Sequence, residues 1–265
     1  MITRTLRGVW SPQLKNRRDV DVYLPGSYRG GGRQYPVVYV QDGQNLSDPE
    51  KAFAGTWRLE DALDDLAARN LEAIIVGVHH TGKRRLVEYS PYPDRRHGGG
   101  DADLYLAFLI DTLKPRIDRL FRTRREREAT AILGSSMGGL LSLYGFFRYP
   151  SIFGRAGVMS PAIWYGQAAI LDFIREAQTP PGRLYVDVGT AEGVGTLRDA
   201  RRLGRLLVRK GFTREPRGQA RRTTSPPTRR AAERATLRYL EDQGGRHSEG
   251  DWARRLGPAL EFLLR

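Results

Sequence analysis

The pentapeptide Gly134-Ser135-Ser136-Met137-Gly138 has the G-x-S-x-G spacing that can expose a serine hydroxyl for attack on a carbonyl. With 30 glycines and 11 serines in 265 residues, chance alone supplies about 0.14 such matches, so the context must decide. An apolar run, Ala131-Ile132-Leu133, enters the motif, and a helical stretch from Gly139 to Phe147 leaves it. A sharp strand-to-helix turn would lift Ser136 above a sheet, and glycines at 134 and 138 remove the Cβ atoms that such a turn crowds. It also puts the Met137 N–H at a helix N-terminus, where it can bond a developing oxyanion.

A serine hydroxyl is a weak nucleophile until a base takes its proton. Of the four histidines, His79, His80, His97 and His247, only His247 follows Ser136 in the chain. It sits in Gly244-Gly245-Arg246-His247-Ser248, a flexible stretch between the last expected strand and the last expected helix. His79 and His80 do not read as a metal pair, because adjacent side chains point apart and no carboxylate spacing supports them. The acid that orients the imidazole belongs in a loop after a strand between Ser136 and His247. Glu192, in Gly189-Thr190-Ala191-Glu192-Gly193, has that position; Asp187, within the strand, and Asp199, on a helix, are the alternatives. A second oxyanion donor comes from the loop after an early strand, here Gln41-Asp42-Gly43-Gln44-Asn45, where a turn at Gly43 would aim the Gln44 N–H at the same point as that of Met137.

These groups converge only if a sheet carries them at one edge. Short β-branched runs alternate with amphipathic stretches, the pattern of a mostly parallel α/β sheet with helices on both faces. Strands are expected at 20–24, 37–40, 73–78, 129–133, 156–159, 184–188 and 236–240. Leu59, Leu63 and Leu66 share one helical face, and Leu203 and Leu207 point inward from a helix over 197–208. Asp101 is the expected N-cap of a long helix that Pro115 kinks or divides, and 252–264 closes the chain as a helix.

Composition limits the classes. The chain has no cysteine, which excludes disulfides, thiolate metal sites and a cysteine nucleophile. No metal or organic cofactor is called for. Residues 1–10 carry Arg4 and Arg7 without an apolar run behind them, and no stretch approaches the roughly 20 apolar residues of a membrane span, so a cytoplasmic protein is expected. The net charge of +14 is spread along the chain with no aromatic residues interleaved, and reads as solvated arginine faces rather than a nucleic-acid surface. The exception is 214–234, with seven arginines and three prolines, expected as a mobile insertion in one domain spanning 1–265.

The ordered set of motifs resembles the putative-esterase group of α/β hydrolases, which includes esterase D-like and enterochelin-esterase-like proteins and is related to feruloyl esterases and mycolyltransferases. Tyr35-Pro36-Val37-Val38-Tyr39-Val40-Gln41-Asp42-Gly43-Gln44-Asn45, Glu88-Tyr89-Ser90-Pro91 and Gly98-Gly99-Gly100-Asp101-Ala102 match before the serine motif. Phe153-Gly154, Met159-Ser160-Pro161, the Glu192 loop and His247-Ser248-Glu249 with Trp252 match after it. The resemblance implies an α/β-hydrolase fold with Ser136, Glu192 and His247 as triad and the Gln44 and Met137 N–H groups as oxyanion hole. It implies a small-molecule ester substrate of the siderophore, simple acyl or feruloyl type. The chain departs from the group at 214–234, where relatives have a short connection, and at Ser47, where phenylalanine is usual and serine would loosen the loop. Trp57, Trp164 and Tyr165 are candidate pocket walls. The expected reaction is ester hydrolysis through an acyl-enzyme; transfer of the acyl group to another alcohol uses the same residues, and a non-catalytic scaffold with a basic binding loop is the reading outside catalysis.

Overall fold

The computed structural model describes residues 1–52, 54–215 and 234–265. Most of the arginine-rich stretch expected as a mobile insertion therefore lies outside the described residues. Of its ends, Arg214 belongs to a short strand, and Glu215 bonds Arg238.

Among the described residues nine strands form one sheet: β1 (Ile2–Ser11), β2 (Asn16–Leu24), β3 (Val37–Gln41), β4 (Ile74–Val78), β5 (Thr130–Ser135), β6 (Arg155–Met159), β7 (Gly182–Gly189), β8 (Thr213–Arg214) and β9 (Ala235–Asp242). Their order across the sheet is β1-β2-β4-β3-β5-β6-β7-β9-β8. The β1–β2 and β2–β4 pairs are antiparallel, and every other pair is parallel. This is the expected α/β-hydrolase architecture. β1 and β8 had no clear signal: β1 is an edge strand whose exposed side carries arginines, and β8 is two residues long.

The central strands are apolar almost throughout because both faces are covered. Side chains alternate between two cores with the period of the pleat. Val37 and Tyr39 of β3, Ile132 of β5 and Val186 of β7 enter one core. Val38 and Val40, Leu133 and Tyr185 enter the other. The first core is closed by α3 (Ala102–Ala107), α4 (Lys114–Leu120), α5 (Met137–Arg148), α6 (Ala169–Glu176) and α7 (Val194–Arg209). The second is closed by α1 (Leu59–Ala67) and α8 (Glu249–Leu264), which pack on each other. As the leucine spacing predicts, Leu203 and Leu207 of α7 are fully buried.

One local expectation changes and one is met. The Asp101 carboxylate does not cap α3; it turns to Arg84 Nη2 at 2.6 Å, a charged partner that outcompetes a backbone N–H. Division of the long helix falls just before Pro115, in a π-helical turn over Phe108–Leu113 that joins α3 to α4. Proline offers no N–H to the carbonyl four residues back and crowds it, so the wider turn absorbs the misfit.

A charged pair is locked inside the fold. The short helix α2 (Arg85–Tyr89) carries Glu88, whose carboxylate meets Arg18 of β2 at 3.0 Å with both side chains fully buried. Asn16 donates to its other oxygen at 2.7 Å. Glu88→Ala would strand the Arg18 charge, and it is expected to cost about 3–5 kcal/mol of unfolding free energy in urea titrations; an unchanged midpoint would refute a structural role for the pair.

Candidate active site

Parallel strands end together, so the loops after β3, β5, β6, β7 and β9 share one edge of the sheet. Ser136 occupies the turn between β5 and α5, with φ 54° and ψ −118°, a conformation that a residue with a side chain rarely adopts. The surroundings enforce it. Ser136 N–H donates to Met159 O at 2.9 Å, and the Ala162 N–H donates to Ser136 O at 3.0 Å. A Cβ at Gly134 would lie 2.6 Å from the Gly138 carbonyl carbon, so the turn closes only with glycine there.

Two further loops are laced together beside it. The Thr190 N–H donates to Asp242 O and the Ala191 N–H to Gly245 O, both at 2.9 Å, while the Gly244 N–H donates to Thr190 Oγ1 at 2.9 Å. A Cβ at Gly189 would strike Gly245 O at 2.2 Å, which shows how closely the strands' continuations approach. Ser248 then caps α8 by accepting from the Asp251 N–H, which fixes the residue next to His247.

The result is a continuous line of hydrogen bonds. Ser136 Oγ lies 2.9 Å from His247 Nε2, and His247 Nδ1 lies 2.8 Å from Glu192 Oε2. An ionised carboxylate can only accept, so the proton resides on Nδ1, and Nε2 is free to accept from the serine hydroxyl. Glu192 Oε1 accepts from Ser160 Oγ at 2.5 Å, from the Gly189 N–H at 2.7 Å and from Arg255 Nη2 at 3.2 Å. Burial pushes the Glu192 carboxyl upward, but the hydrogen bonds from His247, Ser160 and Gly189 outweigh it and hold it below the ordinary value of 4.5. The imidazole is partly open to solvent and stands edge-on to Trp252, with ring centroids 4.9 Å apart. Trp252 Nε1 in turn donates to Ser160 Oγ at 3.0 Å.

The alternatives for the acid lie elsewhere. Asp187 is fully buried and pairs with Arg255 at 2.8 Å, and Asp199 faces Arg198 and Arg202 on α7. Burial pushes Asp187 up to about 6, with Arg255 pulling the other way. His79 contacts Asp21, and His80 accepts from the Gly82 N–H, so the two rings serve different neighbours.

The loop after β3 flanks the serine turn: a Cβ at Gly138 would lie 3.0 Å from Gln41 Cβ. Gly43–Asn45 forms a 3-10 turn, and the first N–H groups of such a turn, like that of Met137 in α5, have no acceptor within their own helix. Asp42 takes the left-handed conformation, φ 57°, and is gripped by Arg85 through two bonds of 2.7 Å. Ser47 does not loosen this loop; its hydroxyl donates to Glu60 of α1 and ties the two together. Of the three aromatic candidates, Trp57 is 1% exposed and packs on Trp252 in the second core. Tyr165 is equally buried, its hydroxyl donating to Gly98 O at 3.0 Å. Trp164, 52% exposed, stands beside the His97 ring. The places of Ser160 and Arg255 had no reading in the sequence: Ser160 stood only inside a matching tripeptide, and Arg255 was one arginine among many.

Residues 11–263 match the family model described as Putative esterase. The chain belongs to this esterase family. It is 30% identical over 223 residues to Uncharacterized protein YbbA of Bacillus subtilis (strain 168), covering 79% of this chain and 86% of that one. Siderophore triacetylfusarinine C esterase of Aspergillus fumigatus is 30% identical over 141 residues, 51% of this chain and 47% of that protein. The crystal structure of the enterobactin esterase FES from Shigella flexneri in the presence of 2,3-Di-hydroxy-N-benzoyl-serine superposes with a TM-score of 0.73 at 20% identity, covering 99% of this chain and 59% of that one. Among the described residues of this esterase no helix is long and apolar enough to cross a membrane.

The depressed Glu192 carboxyl carries a sign that can be measured. A group whose folded value lies below its unfolded one stabilises the fold above the unfolded value and loses that contribution as pH falls through the folded one. The difference in unfolding free energy between wild type and Glu192→Gln is expected to shrink as pH falls below 4.5. Urea titrations across pH 3–8 would refute this if the difference were flat.

Proposed function

We propose that this esterase is a serine carboxylic-ester hydrolase that works through an acyl-enzyme. The observation that carries the reading is the unbroken line from Ser136 Oγ through both nitrogens of His247 to Glu192, at 2.9 and 2.8 Å. Ser136 attacks the ester carbonyl as its proton passes to His247 Nε2. The Gln44 and Met137 N–H groups hold the tetrahedral oxyanion, and electrostatic stabilisation of this kind acts only as the charge develops. His247 returns the proton to the leaving alcohol, and water, activated by the same imidazole, releases the acid. Glu192 fixes the tautomer and balances the imidazolium throughout.

The substrate in this reading is a small ester of the siderophore or aryl type. The likeness to a siderophore esterase supports it, as does the half-exposed Trp164, whose segment is tied to the serine turn through Ala162. No metal or organic cofactor enters any step. The partial exposure of His247 favours water as acyl acceptor over a sequestered alcohol.

A fluorophosphonate probe is expected to label Ser136 alone, as read by peptide mass spectrometry. With nitrophenyl esters, Ser136→Ala and His247→Ala should each lose roughly 10⁶ in kcat, and Glu192→Ala roughly 10⁴. Label on another residue, or turnover that survives Ser136→Ala, would sink the reading. Trp164→Ala should raise KM for an aryl ester about three- to tenfold and leave that for an acetyl ester unchanged; equal changes for both would remove Trp164 from the pocket.

A further inference from the structure

Glu192 sits on a loop whose own backbone holds the carboxylate through one neutral donor, the Gly189 N–H at 2.7 Å from Oε1. A loop carboxylate that must aim one oxygen at an imidazole needs an external clamp. Arg255 on α8 is placed to supply one. Its side chain is 6% exposed and its guanidinium forks across two carboxylates, with Nη1 at 2.8 Å from Asp187 Oδ1 and Nη2 at 3.2 Å from Glu192 Oε1. Nη2 also reaches the Arg246 carbonyl at 3.4 Å, immediately before His247, while Nε bonds the Asp251 carbonyl at 3.3 Å and faces Asp242 at 3.6 Å. Arg255 thus touches the acid, the backbone that delivers the base, and the buried strand carboxylate behind both, from a rigid 16-residue helix.

We propose that Arg255 is a positioning residue: its fork ties Glu192 Oε1 to Asp187 and leaves Oε2 for His247. The inference rests on the triad reading above. The division of labour between the two oxygens is its geometric content, since Arg255, Ser160 and the Gly189 N–H take Oε1 and the imidazole takes Oε2. Planarity matters as well as charge. A guanidinium can bridge two carboxylates at once, whereas an ammonium on a shorter reach presents a single point charge. Without the fork, Asp187 and Glu192 would be two buried acids with no guanidinium between them, and the glutamate would keep only the Ser160 and Gly189 donors on Oε1, without the charged one.

The test is a double-mutant cycle with a nitrophenyl ester, because coupling between two residues appears as non-additivity. Arg255→Met is expected to lower kcat roughly 10- to 10²-fold with KM within twofold, the size of effect that small misplacement of a reacting group produces. In a Glu192→Ala background the same substitution is expected to cost less than about threefold, since the group Arg255 positions is gone. Arg255→Lys, which keeps the charge and loses the fork, should fall between wild type and Arg255→Met in kcat. An equal loss in both backgrounds would show that Arg255 merely stabilises α8 and would overturn the proposal, as would Arg255→Met turnover within twofold of wild type. If Arg255→Met does not fold, the cycle is run with Arg255→Lys on the same criteria. Ser136→Ala is carried alongside: turnover that survives it defeats the triad reading, whereas an inactive Ser136→Ala with an unimpaired Arg255→Met defeats only this inference.

Discussion

A carboxylate held beneath the surface stays ionised only if donors replace the water it has lost, and the geometry of this site follows from meeting that condition at Glu192. Four groups do so, from four segments of the chain: the Gly189 N–H at the end of β7, Ser160 after β6, His247 after β9 and Arg255 on α8. Each donor reaches the carboxylate only if its own segment is in register, so the charge acts as a check on the assembly of the whole sheet edge. The ionised acid in turn decides the imidazole tautomer, and the tautomer decides that Nε2 faces Ser136 as an acceptor.

The same edge stores backbone strain. Ser136, Asp42 and Ser160 all have positive φ, at 54°, 57° and 42°. Non-glycine residues in such conformations persist where surrounding contacts over-determine them, and they gather at sites where a side chain or N–H must be aimed. Here the contacts are visible: Met159 O and the Ala162 N–H on Ser136, Arg85 on Asp42, and the Asp187 carbonyl on the Ser160 N–H. The rest of the molecule bears the cost through two well-filled cores that cover both faces of the sheet.

Polar pairs deep in the fold divide into two kinds. Arg18 and Glu88 join β2 to α2 and touch none of the three proposed catalytic residues. Arg255 with Asp187 and Glu192 spans structure and site together. The chain belongs to its family at 30% identity to YbbA over 223 residues, and a fold tolerates such divergence where a small number of contacts of this kind are kept.

How much of this was legible beforehand depended on how local each signal is. The serine turn could be read because a strand, two glycines and a helix are consecutive, and steric crowding at Gly134 acts over a few residues. His247 could be read because it alone follows Ser136, and the central strands because burial on both faces makes them apolar throughout. β1 could not, since an edge strand has one polar side and little pattern, nor could the burial of Trp57 and Tyr165, because an aromatic side chain suits a core and a pocket wall equally. Composition alone could not show that Asp101 would turn to Arg84, that Ser47 would hold Glu60, or that one arginine among many would lie between two buried acids. Those outcomes depend on side chains separated along the chain meeting within hydrogen-bonding reach, and only the packed tertiary structure brings them there.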